Sequence, residues 1–240
     1  MENNFSILIP ARIGSTRLPN KPLIDLCGKT LIQRVFEQAR TICDDVYIAT
    51  DSDLVLKHAA SFTDNVVITS DKHISGTDRI YEAAKNISIP KNKLIINLQG
   101  DEPFMPIELI QQIVRDYNSN DCDVITASHN LSSIKDLLNP NCVKVETNKY
   151  SFAKDFLRKV NSKDINLYSR HVGVYGYNLE ILESFIKLPP SINEINLKLE
   201  QLRFMDNNFS IYVSEYNKDI PSGIDTIEDV ENAIKYLNTV

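Results

Sequence analysis

The run from Phe5 to Lys21 constrains this chain more than any other stretch: Phe5-Ser-Ile-Leu-Ile9 is apolar enough for a strand buried on both faces, and it leads directly into Pro10, Gly14, Pro19 and Pro22. Those residues rule out a helix over the following dozen positions. The irregular loop so defined carries Arg12, Arg17 and Lys21 together with Ser15 and Thr16, in a chain whose formal net charge is -6. Three cations held on one loop of an acidic protein point to an anionic ligand between them, for which a nucleoside triphosphate fits; the plain alternative is a solvated loop with casual surface charges.

The following segments alternate. A helix is expected from about 30 to 42, with Thr30 and Gln33 as a capping box and Leu31, Ile32, Val35, Phe36, Ala39 and Ile42 on its apolar face. Strands are expected at Val46 to Ala49, Val66 to Ile68 and Leu94 to Leu98, and helices at Asp53 to Ser61, Thr77 to Asn86 and Pro106 to Tyr117. This order predicts a mainly parallel sheet covered on both faces, with ligands bound beyond the carboxyl ends of its strands. The second half reads as a mixed sheet with strands at Val124 to Ser128, Val143 to Glu146, His171 to Tyr177 and Ile211 to Ser214. A closing helix from about 226 to 237 is capped by Thr226 and Asp229. Residues 148 to 166 are the most polar part and carry no clear pattern. At 240 residues and 42% hydrophobic, the chain suits one large domain.

Composition excludes several classes. A pI near 5.3 argues against a nucleic-acid partner, which needs a basic face. No apolar run approaches the ~20 residues of a membrane helix, and the first residues do not form a charged-then-apolar leader, so a cytoplasmic protein with no membrane contact is expected. Cys27, Cys43, Cys122 and Cys142 are scattered without zinc-ligand spacing and are expected to be reduced. Gly28-Lys29-Thr30 mimics the end of a phosphate-binding P-loop, but Leu23 stands where that motif needs glycine. The dinucleotide Gly-x-Gly-x-x-Gly pattern is absent after the first strand.

The remaining candidates each have a plain reading. Asp101 and Glu102 follow an apolar strand and deliver a carboxylate to the sheet edge, where Mg2+ shared with a triphosphate is one guest and a turn-forming Asp before Pro103 is the alternative. Asp225 either favours the start of the last helix or is a second metal carboxylate. Ser75-Gly76-Thr-Asp-Arg79 opens a helix whose free N–H groups and Arg79 suit phosphate or ribose oxygens, although a simple cap explains Ser75 equally. Strand alternation puts His171, Gly173, Tyr175 and Tyr177 on one face, a poor core and a good sugar surface, with a core histidine as the alternative for His171. Glu200 and Gln201 read as exposed helix residues.

Ile9-Pro-Ala-Arg-Ile-Gly-Ser-Thr-Arg-Leu-Pro-Asn-Lys-Pro-Leu23 resembles the signature loop of the 3-deoxy-manno-octulosonate (Kdo) cytidylyltransferases, the CMP-Kdo synthetases. Further blocks resemble that family in the same order and cover nearly the whole chain: His73 to Arg79, Asn97 to Pro103, Asn139 to Val145, Arg170 to Tyr177, Leu199 to Arg203 and Gly223 to Thr226. The resemblance implies an α/β fold, a nucleotide-diphospho-sugar transferase-like (Rossmann-like) three-layer sandwich with a mainly parallel mixed sheet. It implies a single cytidylyltransferase domain over 1–240, with a nucleotide-binding half at about 1–120 and a sugar-binding and dimerisation half at about 121–240. It further implies that Arg12, Ser15 and Lys21 hold the phosphates of CTP and that Pro10 and Ala11 shape the nucleotide pocket, with Arg17 as a further candidate. Ser75, Gly76, Arg79 and Gln99 would contact the nucleotide, Asp101 and Asp225 would carry Mg2+, and His171, Tyr175, Glu200 and Gln201 would bind sugar hydroxyls. Many members have Glu at the position of Asp78. Where they usually carry Phe-Ser-Arg and then Ile-Pro, this chain has Phe156-Leu-Arg158 and no Ile-Pro, so Arg158 is the candidate for the sugar carboxylate on an altered segment.

The implied chemistry is activation of Kdo by CTP for lipopolysaccharide assembly in a Gram-negative bacterium, by a homodimer. The alternatives are another acid sugar, such as 8-amino-Kdo or a nonulosonate, and a non-catalytic nucleotide-binding protein on the same fold. Sialic-acid enzymes usually show Gly-Ser-Lys and Lys-Asn in the first loop; Ser15-Thr-Arg17 and Lys21-Pro22 favour Kdo.

Overall fold

The computed structural model describes residues 4–14, 17–73 and 75–239. The chain divides into two compact units, one made of Met1–Ile107 with Ile220–Val240 and the other of Glu108–Asp219. The last helix therefore belongs with the first hundred residues.

In the first unit, strand β1 (Phe5–Ala11) is followed by helix α1 (Leu31–Arg40), β2 (Val46–Thr50), α2 (Asp53–Ala59), β3 (Val66–Ile68), α3 (Gly76–Asn86) and β4 (Leu94–Asn97). The strands pair in the order β3, β2, β1, β4, all parallel, with Ile7 opposite both Val46 and Ile96. Consecutive strand side chains point to opposite faces, so the complete burial of Ile7, Leu8 and Ile9 means that both faces of β1 are covered. The fold is a mixed α/β one with a mostly parallel sheet. On α1, Leu31, Ile32, Val35, Phe36 and Ala39 are buried at helical spacing, and Thr30 caps the first turn by accepting from Gln33 N at 3.4 Å. The expected capping box is only half made there: Thr30 accepts from Gln33 N, while the Gln33 side-chain nitrogen donates to Glu37 Oε1 at 2.9 Å.

Strand β1 runs two residues beyond its expected end, through Pro10 to Ala11. Leu8 O accepts from Leu98 N while Ile7 N donates to Asp45 O, so even-numbered residues of β1 turn their peptide groups toward β4 and odd-numbered ones toward β2. The absent N–H of Pro10 thus faces the side where β4 has already ended at Asn97, and no ladder bond is forfeited.

In the second unit, α4 (Ile107–Ser119) leads to β5 (Val124–Asn130), α5 (Ile134–Leu138), β6 (Lys144–Thr147), β7 (Ala153–Leu157), β8 (Ser169–Asn178), α6 (Leu179–Phe185), α7 (Ile192–Leu197), α8 (Gln201–Asp206) and β9 (Ile211–Glu215). Strand β5 lies between antiparallel β8 and parallel β9, and β8 also pairs β6, which pairs β7. The polar stretch 148–166 therefore contains a strand, built on the buried Phe156 opposite Val145. Helix α9 (Ile227–Leu237) closes the first unit with the complete Thr226–Asp229 capping box that its sequence predicts.

Candidate active site

Strands β1 and β4 are neighbours, so the turns leaving their carboxyl ends meet. A Cβ built on Gly100 would lie 2.7 Å from Pro10 O, closer than real Cβ contacts allow, and only glycine lets the two turns approach this far. Around them is a cleft of about 290 Å3 lined by Pro10, Ala11, Arg12, Arg17, Lys21, Pro22, His73, Ser75, Gly76, Arg79, Gln99, Gly100, Asp101 and Asp225. Every nucleotide-side candidate named from the sequence lines this one cleft except Ser15, which lies outside the described residues.

The closing segment of the first unit brings Asp225 in. Ile224 N donates to Asp101 O at 2.8 Å, and the absence of a side chain at Gly223 leaves room for the Glu102 carboxylate. Asp225 N donates in turn to Asp229 Oδ2 at 3.0 Å, so the α9 cap fixes the backbone that carries the carboxylate. The Lys21 ammonium lies between the two aspartates, 2.6 Å from Asp101 Oδ2 and 2.8 Å from Asp225 Oδ1. Arg17 adds a longer pair with Asp225 at 3.1 Å. Burial by itself would lower the Lys21 pKa, but the attraction and hydrogen bonds of Asp101 and Asp225 outweigh it and the net shift is upward. For Asp225, burial works to raise the pKa, and the Lys21 bond and charge, with Arg17, bring it below its ordinary value. The sequence places the lysine opposite the aspartates across a ligand; the structure puts it in direct contact with both. Among the described residues no three His, Cys, Asp or Glu side chains are arranged to hold a metal by themselves.

Ser75 is the N-cap of α3, its hydroxyl accepting from Asp78 N at 3.2 Å, and the first turn of that helix opens on the cleft. Arg79 is 3% exposed and already held, by Asp51 Oδ2 at 2.6 Å and Thr69 Oγ1 at 2.6 Å, so it presents a fixed edge to the cleft. Sequence reasoning missed Asp51, whose partnership with Arg79 spans 28 residues. It also gave no role to His73, which reaches the cleft while bonded to Glu82. Gln99 donates to Asn97 Oδ1 at 3.1 Å.

The sugar-side candidates all fall in the second unit. His171 and Tyr175 share a face of β8, with ring centroids 5.5 Å apart, and Phe156 meets the imidazole edge-on at 5.1 Å. Tyr177, expected on that surface, is instead a core residue, 1% exposed and packed near Phe204. The single proton of the Thr126 hydroxyl goes to a carbonyl of β8, Val174 O at 2.8 Å, so Thr126 Oγ1 accepts from His171 Nε2 at 3.0 Å. The hydrogen-bond network thereby assigns the proton to Nε2 and makes Nδ1 an acceptor. Burial pushes the His171 pKa down to about 3 and, with the Glu200 charge nearby, pushes the Tyr175 phenol well above its usual value.

Gln201 is 5% exposed, not a surface residue as read from the sequence, and its amide nitrogen has no hydrogen-bond partner among the described residues. Helix α8 is held against α7 by Arg203, which forms a two-pronged pair with Glu194 at 2.7 and 2.5 Å and covers the Phe185 ring. Arg158 does not stand ready for a carboxylate. It donates to Leu197 O at 2.5 Å, Lys198 O at 3.0 Å and Pro140 O at 3.2 Å, while its own carbonyl accepts from the buried Lys144. In this arrangement it ties the α7–α8 turn to the β6–β7 hairpin.

The folded His171 is neutral where an unfolded histidine, at about 6.5, takes up a proton. Stability is therefore expected to fall as pH drops below about 6.5 and to keep falling toward about 3, by at most about 1.4 kcal/mol per pH unit, the limit for a single proton. Urea unfolding at pH 5 and pH 7 should show a smaller difference for His171→Gln than for the parent; equal differences would contradict the assignment.

The sequence profile of the cytidylyltransferases matches residues 6–220. The chain belongs to the cytidylyltransferase family. It is 42% identical to the 3-deoxy-manno-octulosonate cytidylyltransferase of Thermodesulfovibrio yellowstonii, with 97% of each chain covered. It is 39% identical to that of Francisella tularensis subsp. novicida, over 98% of this chain and 99% of the relative. Among solved structures it matches a CMP:2-keto-3-deoxy-manno-octonic acid synthetase complexed with CTP, at a TM-score of 0.90 and 32% identity over 98% of both chains. Within this cytidylyltransferase, the cleft at the ends of β1 and β4 is the place where cations, carboxylates and a helix N-terminus face one cavity. Among the described residues no helix is long and apolar enough to cross a membrane.

Proposed function

We propose that this cytidylyltransferase joins CTP to 3-deoxy-manno-octulosonate, giving the CMP-sugar and pyrophosphate. The observation that carries the reading is similarity to enzymes of that name at 37–42% identity across nearly the full length of both chains. The anomeric hydroxyl oxygen attacks the α-phosphorus in line. A new P–O bond forms as the α–β bridge breaks, and the hydroxyl proton leaves to solvent, with no covalent enzyme intermediate. Such transfers depend on positioning and on neutralising charge. Arg12, Arg17 and Lys21 would take the phosphates, Pro10 and Ala11 the nucleotide face, and Ser75, Gly76 and Gln99 the remaining nucleotide contacts, with Arg79 preset by Asp51. The neutral His171, with Nδ1 as acceptor, and the Gln201 amide nitrogen, without a partner among the described residues, suit sugar hydroxyls, alongside Tyr175 and Glu200.

The donor set also suits Mg2+. Two carboxylates converge within reach of one cation, and magnesium is usually bound by one or two carboxylates together with substrate phosphates and water. Asp101 and Asp225 would hold it. When bound it would polarise the phosphate oxygens and neutralise the departing pyrophosphate. A homodimer, a cytoplasmic location and use of the product for lipopolysaccharide belong to the same reading.

A second acid sugar is favoured by one observation: Arg158 sits on the altered Phe156-Leu-Arg158 segment and is committed to main-chain carbonyls. A competition assay offering Kdo, 8-amino-Kdo and N-acetylneuraminate with CTP and Mg2+ should release pyrophosphate fastest with Kdo. Preference for another sugar replaces the substrate. CTP binding without pyrophosphate release from any of them would reduce the protein to a nucleotide binder.

A further inference from the structure

We infer that the Lys21 side chain is a built-in occupant of the divalent-cation position, so that nucleotide has to bind before the metal. The inference rests on the reading of Asp101 and Asp225 as metal carboxylates. One ammonium nitrogen stands at 2.6 and 2.8 Å from an oxygen of each, which is where a cation bridging them would lie. Mg2+ at its usual ~2.0–2.1 Å from both oxygens would overlap that space and meet a like charge.

The lysine is also held in place. Its side chain is 13% exposed, and its backbone starts a short 3-10 turn, Lys21–Leu23, whose Pro22 is buried. Arg17 supplies Asp225 with a further positive partner. Both carboxylates are thus already partnered within the protein, and an incoming metal has to break two charge-assisted hydrogen bonds.

A triphosphate changes the balance. Its oxygens are the strong acceptors that Lys21, Arg12 and Arg17 line this cleft to meet. Once Lys21 turns to a phosphate, both carboxylates are released beside the oxygens that complete a magnesium shell. Nucleotide and metal then favour each other, and the coupling is reciprocal.

Mn2+ is the probe, followed by electron paramagnetic resonance of the free ion. Wild type, Lys21→Met and the Asp101→Asn/Asp225→Asn double variant are titrated without nucleotide, and wild type and the double variant again with a non-hydrolysable CTP analogue, the double variant recording the Mn2+ that the analogue chelates by itself. Nucleotide-free Lys21→Met should bind Mn2+ at least about tenfold more tightly than wild type, with the double variant at background. With the analogue present, wild type should take up more Mn2+ than the double variant does. Equal Mn2+ affinity for nucleotide-free wild type and Lys21→Met, both above the double variant, overturns the inference and leaves the metal reading standing. Background binding by Lys21→Met, and by wild type with the analogue, overturns both. Lys21→Gln gives the same comparison should the methionine variant fail to fold.

Discussion

Asp101→Asn and Asp225→Asn should each slow pyrophosphate release by about 10^2 to 10^3-fold, the scale of losing one preorganised electrostatic group, while leaving the protein folded. Asparagine keeps the side-chain shape and one oxygen, so the change removes charge with little effect on packing. Each carboxylate is partly exposed, 34% for Asp101 and 46% for Asp225, and each is bonded to the same ammonium. Loss of one partner leaves Lys21 paired with the other, and exposed pairs of this kind contribute at most about 1 kcal/mol to stability. A thermal melt within a few degrees of the parent, combined with a collapse in turnover at saturating CTP and Mg2+, therefore separates chemistry from folding. Near-normal turnover by a folded variant would remove that aspartate from the reaction.

The same cleft shows how far the sequence could be read. The parallel strands of the first unit are legible because each is a short apolar run between turn-forming residues, and in β1 and β4 burial on both faces leaves no polar alternation to confuse them. The second unit is harder. Strand β7 is Ala-Lys-Asp-Phe-Leu, with only Phe156 fully buried, and what makes it a strand is its pairing with β6, which local composition does not express. Helix α7 was legible in principle, since Ser191 and Glu194 form a complete capping box, but its apolar residues are exposed and give no buried stripe.

For the candidate site, Asp101 and Asp225 are readable as a pair only through the family resemblance, because nothing in their spacing brings them together. The hydrogen bond from Ile224 N to Asp101 O does so in three dimensions. Lys21 lines the cleft as named from the sequence, but its contact with both aspartates was not legible. Loop charge alone places a lysine near an anion, and only the coordinates tell whether that anion is a ligand or the protein's own carboxylates. Arg158 teaches the same point in reverse: its residue type suggests a carboxylate partner, but carbonyls at 140, 197 and 198 surround it.

Gly100→Ala should be the most damaging small change in the cleft. The added methyl would lie 2.7 Å from Pro10 O, a main-chain atom of β1 that has no rotamer to yield, with Ile32 Cδ1 and Ile9 Cγ2 both at 3.6 Å behind it. Relief requires the turn that carries Gln99 and Asp101 to move away from the one that carries Ala11 and Arg12. Overpacking of this kind costs about 1–3 kcal/mol, a fall in melting temperature on the order of 2–10 °C for a chain of this length. The functional loss should be larger in proportion, about 10 to 100-fold in kcat/KM, because displacing reacting groups by ~1 Å has that effect. Gly76→Ala lines the same cleft and supplies the control for packing alone: its methyl would meet Pro10 Cγ at 3.6 Å, an ordinary contact, and its melting temperature should stay near the parent's. If Gly100→Ala melts like Gly76→Ala and turns over like the parent, the close approach of the two turns is not what shapes the cleft.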